Sequence, residues 1–213
     1  MIKHEHDGFV VYEFPYALPN QDKVLDEVHK LASYLRQGAR TRDDMLEIHR
    51  ASKSKIVPGP GIQVDLHYSN GEYLSKVPRL LGSKVLEFHN NNFDRKGEES
   101  FTHSWAYISH PENKDTNFHT HEFFSPTDNH IVTTWTITYY LEVPDNCQGD
   151  EGKLLFSTSG EDSNSLKLFP KKNTIYIFNG TLSHRPEIAP NSTKSRVVLA
   201  GNVAIPLKDK VLI

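Results

Sequence analysis

Two histidines separated by one residue, His119-Thr120-His121, are followed much later in the chain by His184 and, twelve residues beyond it, by Arg196. In an extended strand, side chains at i and i+2 leave on one face, so His119 and His121 can present two imidazoles to a single metal ion. His184 would be the distant third donor. Imidazole suits iron, zinc, copper and nickel alike, so the ligand types alone do not choose the metal. Arg196 narrows the choice. On what reads as the strand after His184, a guanidinium is placed to grip a carboxylate bidentately while the metal holds the other end of the same ligand.

Such a site needs strands at both ends, and the chain supplies them. Residues 9 to 14, FVVYEF, read as an opening strand ending at Pro15. In QDKVLDEVHKLASYLRQ the apolar residues Val24, Leu25, Val28, Leu31 and Leu35 recur at helical spacing, and Gly38 supplies the stop. Residues 39 to 70 are poorly patterned: TRDDMLEIHRA reads as a turn or two of helix, VPGPGI breaks the chain, and most of the rest reads as loop. From Tyr73 to Phe88 the spacing of Leu74, Val77, Leu80, Leu81, Val85, Leu86 and Phe88 predicts a second helix, with Pro78 in an early turn and Gly82 against the pattern.

After residue 100 the character changes. FTHSWAYIS, HIVTTWTITYYLEV, GKLLFST, NTIYIFN and SRVVLAGNVAI are β-branched and aromatic runs with turn chemistry between them. Short antiparallel strands of this kind commonly form a double-sheet jelly roll whose interior can hold a ligand. The expectation is an α+β fold in which N-terminal helices pack on a double-stranded β-helix (jelly roll). Residues 1–213 would be a single domain, with 1–100 as mainly helical and loop support and 101–205 as the jelly-roll core.

Composition bounds the partners. The 24 Lys and Arg against 27 Asp and Glu give a net charge of −3, which supplies no strong attraction for nucleic acid or an anionic membrane. The start MIKHEHDGFVVYEF is charged where a signal peptide needs an apolar run, and nothing later approaches a membrane span. Cys147 is the one cysteine, so an internal disulfide is impossible. A soluble protein of the cytoplasm is expected. Cys147 lies in the polar turn DNCQGDEG with no basic partner nearby, which argues against a nucleophile.

The stretches WAYISHPENKDTNFHTH, TYYLEVPDNCQGDEGKLLF and FPKKNTIYIFNGTLSHRPEIAPNSTKSRVVLAGNV resemble the iron(II)- and 2-oxoglutarate-dependent dioxygenases, from Trp105 to about Val203. In that superfamily a His-x-Asp or His-x-Glu pair, a distal His and an Arg occur in this order on a double-stranded β-helix. The resemblance implies that His119, His121 and His184 are catalytic metal ligands for Fe(II), and that Arg196 holds the tail carboxylate of 2-oxoglutarate. It further implies dioxygen as co-reactant, ascorbate as an accessory reductant, and release of succinate and CO2 as a small-molecule or protein side-chain substrate is hydroxylated. His121 departs from the family, which mostly has an acid there. A prolyl-hydroxylase-like subgroup shows a similar His-x-His followed by a Tyr-Tyr strand. If the acid is needed, Glu122 and Asp128 are the nearby alternatives.

Other residues carry weaker signals. Trp105 and Tyr107 share a face with Phe101 and His103, and Tyr107 can offer its hydroxyl to 2-oxoglutarate or simply pack in the core. Thr134, Thr136, Thr138 and Tyr140 form one face of a strand, open to solvent or to a pocket, opposite Trp135, Ile137, Tyr139 and Leu141. Asn117, Asn179 and Asn202 can orient ligands but fit turn chemistry equally well. Residues 39 to 70 and the segment FFSPTDNH are candidates for a substrate lid. Two other readings compete: a three-His cupin dioxygenase using iron without 2-oxoglutarate, and a non-catalytic jelly-roll binding module. The cupin pattern places a Pro-x-Gly shortly before the last His, which this chain lacks. Nucleobase demethylases carry a second Arg beyond the clamp, and SRVVLAGNVAIP has none.

Overall fold

The computed structural model of the chain describes residues 1–37, 55–56, 61–111, 117–121 and 132–207. The stretch TRDDMLEIHRA, the segment FFSPTDNH, and Glu122 and Asp128 all lie outside the described residues.

The chain opens with a hairpin that the pattern of hydrophobic residues does not announce. Strand β1 (Ile2–His6) pairs antiparallel with β2 (Phe9–Pro15). Between them Asp7 and Gly8 both take left-handed backbone, with φ of 43° and 80°, the twist that a two-residue hairpin turn requires. Helix α1 (Gln21–Gln37) follows with the expected bounds and buries Val24, Val28 and Leu31. The expected loop after it is corrected in part: β3 (Lys55–Ile56) and β4 (Ile62–Asp65) pair with each other, and β4 joins the main sheet. Four residues are too few for period-two alternation to stand out beside the Pro-Gly breakers.

Asp65 accepts from the His67 amide at 3.0 Å and so caps a short 3-10 turn at Leu66–Tyr68. A second such turn, Leu74–Lys76, leads into α2 (Val77–Asn92), where Pro78 sits in the first turn and costs no hydrogen bond. The misfit at Gly82 has a packing reason. A Cβ there would collide with the Thr102 hydroxyl, so the bare backbone lets α2 lie close against the next strand.

The remaining strands are β5 (Phe101–Ser109), β6 (Val132–Glu142), β7 (Leu154–Ser157), β8 (Leu166–Leu168), β9 (Thr174–Asn179), β10 (Ser183–Pro186) and β11 (Arg196–Pro206). They form an eight-stranded sheet in the order β1-β2-β9-β6-β11-β5-β4-β3 and a three-stranded sheet β10-β7-β8. Four strands of the large sheet come from the first 65 residues, so helical support and β core are interleaved along the chain.

Strand parity sorts the large sheet into two faces. Trp135, Ile137 and Tyr139 of β6, Ile175 and Ile177 of β9, and Val197 and Leu199 of β11 pack with α1 and α2 residues such as Val28, Leu81 and Val85. Tyr140, Tyr176, Phe178 and Val198, on the opposite parity, meet Leu154 and Phe156 of the small sheet. The layers are therefore helices, large sheet and small sheet, an α+β jelly roll as expected. Two consequences matter for the site. The face carrying Thr136, Thr138 and Tyr140 lines the interior of the roll, and Trp105 and Tyr107 share that interior with it.

Leu81, 1% exposed, ties α2 to the sheet. Leu81→Ala is expected to lower the unfolding free energy by about 2–5 kcal/mol, measured by urea denaturation. A loss well under 1 kcal/mol would contradict this packing.

Candidate metal centre

The segment Asn117–His121 enters the roll alongside β10. The amide of His119 donates to the His184 carbonyl at 3.1 Å and that of His184 to the His119 carbonyl at 3.0 Å, so the two residues face each other as a hydrogen-bonded antiparallel pair. Directly opposed residues of such a pair send their side chains to the same face. The His121 amide donates to Gly180 O at 2.8 Å and ties the end of the segment to the turn before β10. Gly180 suits the position because a Cβ would come within 2.9 Å of the His121 carbonyl.

This pairing gathers the three imidazoles. Ring centroids lie 4.5 Å apart for His119 and His184, and 4.9 Å apart for both His119–His121 and His121–His184. One nitrogen of each falls within 4.8 Å of the others, so the three could hold a single ion. His119 is exposed, His121 half-buried and His184 buried at 5% exposure. The sequence pattern thus named three residues that the fold does bring together.

Two further contacts orient the rings. His119 Nδ1 donates to the Asn117 carbonyl at 3.0 Å, and His184 Nδ1 donates to the Leu182 carbonyl at 3.1 Å. A carbonyl only accepts, so both rings carry their proton on Nδ1 and turn an Nε2 lone pair toward the centre. Each donation reaches two residues back along the chain. Asn117 therefore contributes through its backbone, while Asn179 uses its side chain to accept from the Thr181 amide at 2.9 Å in a turn.

The surroundings disfavour the charged form of His121 and His184. Burial, with His119 and His103 nearby, lowers the pKa of His121 to about 4. Burial also pushes His184 well below the ordinary histidine value, with His119 and His121 adding to the effect. A neutral ring is the form that binds a metal. Phe178 and Phe156 pack on His184 at 4.7 and 6.2 Å, and Trp105 packs on His121 at 5.1 Å, which walls the centre with aromatic surface.

On the outer face Arg185 does what the sequence did not suggest. Its guanidinium grips Asp162 at 2.9 Å, reaches Glu187 at 2.7 Å, and covers the Phe118 ring at 5.2 Å. Phe118 and Arg185 each adjoin a histidine of the bridged pair, so this clip bolts the incoming segment to β10 from behind. A signal existed in the alternation of SHRP, but nothing in the chain marked Asp162 as the partner.

Arg196 occupies the other end of the interior, 5% exposed, with Tyr107 and Tyr140 close enough to interact with its charge. Nη1 donates to Gly152 O at 3.3 Å and Nη2 to Glu187 O at 3.2 Å. It forms no ion pair among the described residues. Burial lowers its pKa from the ordinary value and raises that of Tyr140. On the same face of the large sheet, the Thr136 hydroxyl and Asn202 Oδ1 are buried with no hydrogen-bond partner among the described residues. A buried cation short of an anion is the feature of a site for an anionic ligand, and the unsatisfied polar atoms lie apart from it, further along β11 and β6.

No protein-family profile and no curated protein matches the sequence. Solved structures do match the fold. A prolyl-4-hydroxylase from Pseudomonas putida is 15% identical, with 93% of each chain covered and a TM-score of 0.53. AviO1 from Streptomyces viridochromogenes is 13% identical, covering 94% of this chain and 91% of that one, with a TM-score of 0.64. The non-heme alpha-ketoglutarate-dependent carbocyclase SnoK of nogalamycin biosynthesis is 10% identical, covering 92% and 79%, with a TM-score of 0.59. The chain has an iron(II)/2-oxoglutarate oxygenase-like fold. At these identities the likeness establishes the architecture, and the residues of this chain must carry the rest. No helix among the described residues is long and apolar enough to cross a membrane.

Metal binding should depend on His184. His184→Ala is expected to weaken iron(II) binding by more than the roughly 10–100-fold typical of losing an outer hydrogen-bond partner; full occupancy in that variant would dismantle the triad. The metal-free protein should also lose stability with acid. Unfolded histidines take up protons below about pH 6.5, whereas His121 resists protonation until about pH 4, so the unfolded state binds more protons over that window. Stability should therefore fall as pH drops, with a slope of up to about 1.4 kcal/mol per pH unit for each depressed histidine. Urea unfolding of the metal-free protein from pH 7 to pH 5 measures it, and His121→Asn should flatten the slope.

Proposed function

We propose that the protein is an iron(II)/2-oxoglutarate-dependent oxygenase that hydroxylates a C–H bond, with His119, His121 and His184 as the catalytic metal ligands. The observation that carries this reading is the pairing of a three-imidazole cluster with a buried guanidinium that has no carboxylate partner among the described residues, at opposite ends of one interior.

Neutral nitrogen donors fit iron(II), and because none of the three is anionic the ion would keep its full positive charge and attract a dianionic ligand. Bound iron with 2-oxoglutarate supplies the oxidative chemistry, yielding succinate and CO2 as the substrate is hydroxylated. The protein's own residues do the rest. Arg196 supplies a fork for the far carboxylate of 2-oxoglutarate, and its link to the Gly152 and Glu187 carbonyls holds that fork still. Tyr107 and Tyr140 neighbour the guanidinium, and the Tyr107 hydroxyl is the candidate second donor to the same ligand. Phe156 and Phe178 shield His184 from water, and Trp105 covers His121. Dioxygen is the co-reactant, ascorbate the accessory reductant, and the substrate a small molecule or a protein side chain.

The all-imidazole set also suits a three-His dioxygenase that uses no 2-oxoglutarate, but such an enzyme has no need of a buried, unpaired Arg196. Purified protein with iron(II), ascorbate and 2-oxoglutarate should bind 2-oxoglutarate in an Arg196-dependent way. Arg196→Ala should cost about 3 kcal/mol, roughly 100-fold in affinity, by isothermal titration. Arg196→Lys keeps the charge without the fork and should fall between. Unchanged affinity in Arg196→Ala would sink the clamp, and iron-dependent turnover indifferent to 2-oxoglutarate would favour the cupin-type reading.

A further inference from the structure

A row of polar groups crosses the large sheet beside the triad, separate from the clamp. His103 on β5 stands opposite Asn202 on β11, and Asn202 stands opposite Thr136 on β6. All three have the parity of the interior face. At one end the His103 ring packs on Trp105 at 5.6 Å, and Trp105 packs on His121. At the other, Thr136 pairs with Phe178, whose ring packs on His184. The row is thus bracketed by two of the three imidazoles. Thr136 is fully buried, and neither its hydroxyl nor Asn202 Oδ1 has a hydrogen-bond partner among the described residues.

His103 is held for a purpose that packing does not explain. Asp65, with a side chain only 4% exposed, turns Oδ1 to the His67 amide and Oδ2 to His103 Nε2 at 3.4 Å. The carboxylate only accepts, so Nε2 donates to it, and in the uncharged form of the ring Nδ1 offers its lone pair outward. That nitrogen makes no other hydrogen bond among the described residues, and the side chain is 44% exposed. His67 stacks on the ring, 5.9 Å away with an interplanar angle of 14°, and is itself fixed by accepting from the Ser104 amide at 3.3 Å. A buried acid and a stacked neighbour therefore aim one acceptor.

We infer that His103, Asn202 and Thr136 form the recognition strip for the primary substrate, and that this substrate is a neutral molecule bearing hydroxyl groups. The inference rests on the oxygenase reading. His103 Nδ1 and Asn202 Oδ1 accept, while the Thr136 hydroxyl both gives and accepts, which is the complement of alcohol groups on neighbouring carbons. Adjacent strands lie about 4.8 Å apart, so the strip spans about 10 Å, the width of a sugar-sized ring or short polyol. Charge argues the same way. On β5, β6 and β11 only Glu142 and Arg196 carry a permanent charge, both at strand ends. Arg196 begins β11 six residues before Asn202, about 20 Å away along an extended strand.

The probe is methyl α-D-glucopyranoside, with N-acetylprolinamide as a neutral amide and gluconate as an anionic polyol. Each is tested by saturation-transfer difference NMR on the zinc-loaded protein in the presence of 2-oxoglutarate. The glucoside is expected to bind best, and Thr136→Val and His103→Phe each to weaken it at least tenfold while 2-oxoglutarate affinity stays within twofold. Thr136→Val should also raise the melting temperature, because it removes an unsatisfied buried hydroxyl; a purely structural threonine would lose stability instead. Equal glucoside binding by wild type and both variants overturns the strip, and strip-dependent binding of the amide or gluconate in preference to the glucoside overturns the substrate class. A wild type that takes up no 2-oxoglutarate yet binds the glucoside through these residues removes the oxygenase reading and leaves the strip standing.

Discussion

The site depends on one reciprocal pair of backbone hydrogen bonds, between His119 and His184. Residues far apart in sequence become directly opposed, and an antiparallel pair of this kind fixes Cα atoms about 5.5 Å apart. Everything else at the centre follows from that register. His121 arrives beside them because it is two residues from His119 on the same face. The carbonyls of Asn117 and Leu182 lie two residues before each ring and can take its Nδ1 proton. A slip of one residue would turn the imidazoles away from the interior. The clip from Arg185 to Asp162, Glu187 and Phe118 braces the same pairing from outside, where it can use charge without putting any in the interior.

The interior has two poles of different chemistry. At one, burial strips the proton from His121 and His184, so cationic imidazole is the form the fold rejects. At the other, the fold keeps a guanidinium that remains charged even when buried, and satisfies it with two carbonyls instead of an acid. Burying a cation without a counter-ion is unfavourable, and a fold selected for stability alone would place an acid or an apolar side chain there. A ligand with a carboxylate at one end and oxygen donors for a metal at the other would supply the missing counter-ion.

Much of this was legible in the sequence, and what was missed shares a cause. The bounds of α1 followed from apolar spacing and the Gly38 stop, and the long runs at β5, β6, β9 and β11 were visible because each is long enough to alternate. The pieces β4, β8 and β10 have three or four residues and owe their conformation to neighbours that the sequence does not name. Asp7-Gly8 was a readable turn signal between β1 and β2, though β1 itself, IKHEH, is too polar to look like a strand. His119, His121, His184 and Arg196 were recognisable by type and order. His103 was not, because its meaning comes from Asp65, 38 residues earlier, and from Asn202 on a different strand.

In the proposed site all three imidazoles, His121 included, bind one iron ion. X-ray absorption of the iron(II)-loaded protein counts imidazoles directly through their outer-shell scattering. Three histidine nitrogens are expected, falling to two in His121→Ala with no carboxylate taking the vacated place. Two imidazoles and a carboxylate in the wild type, unchanged in His121→Ala, would contradict it.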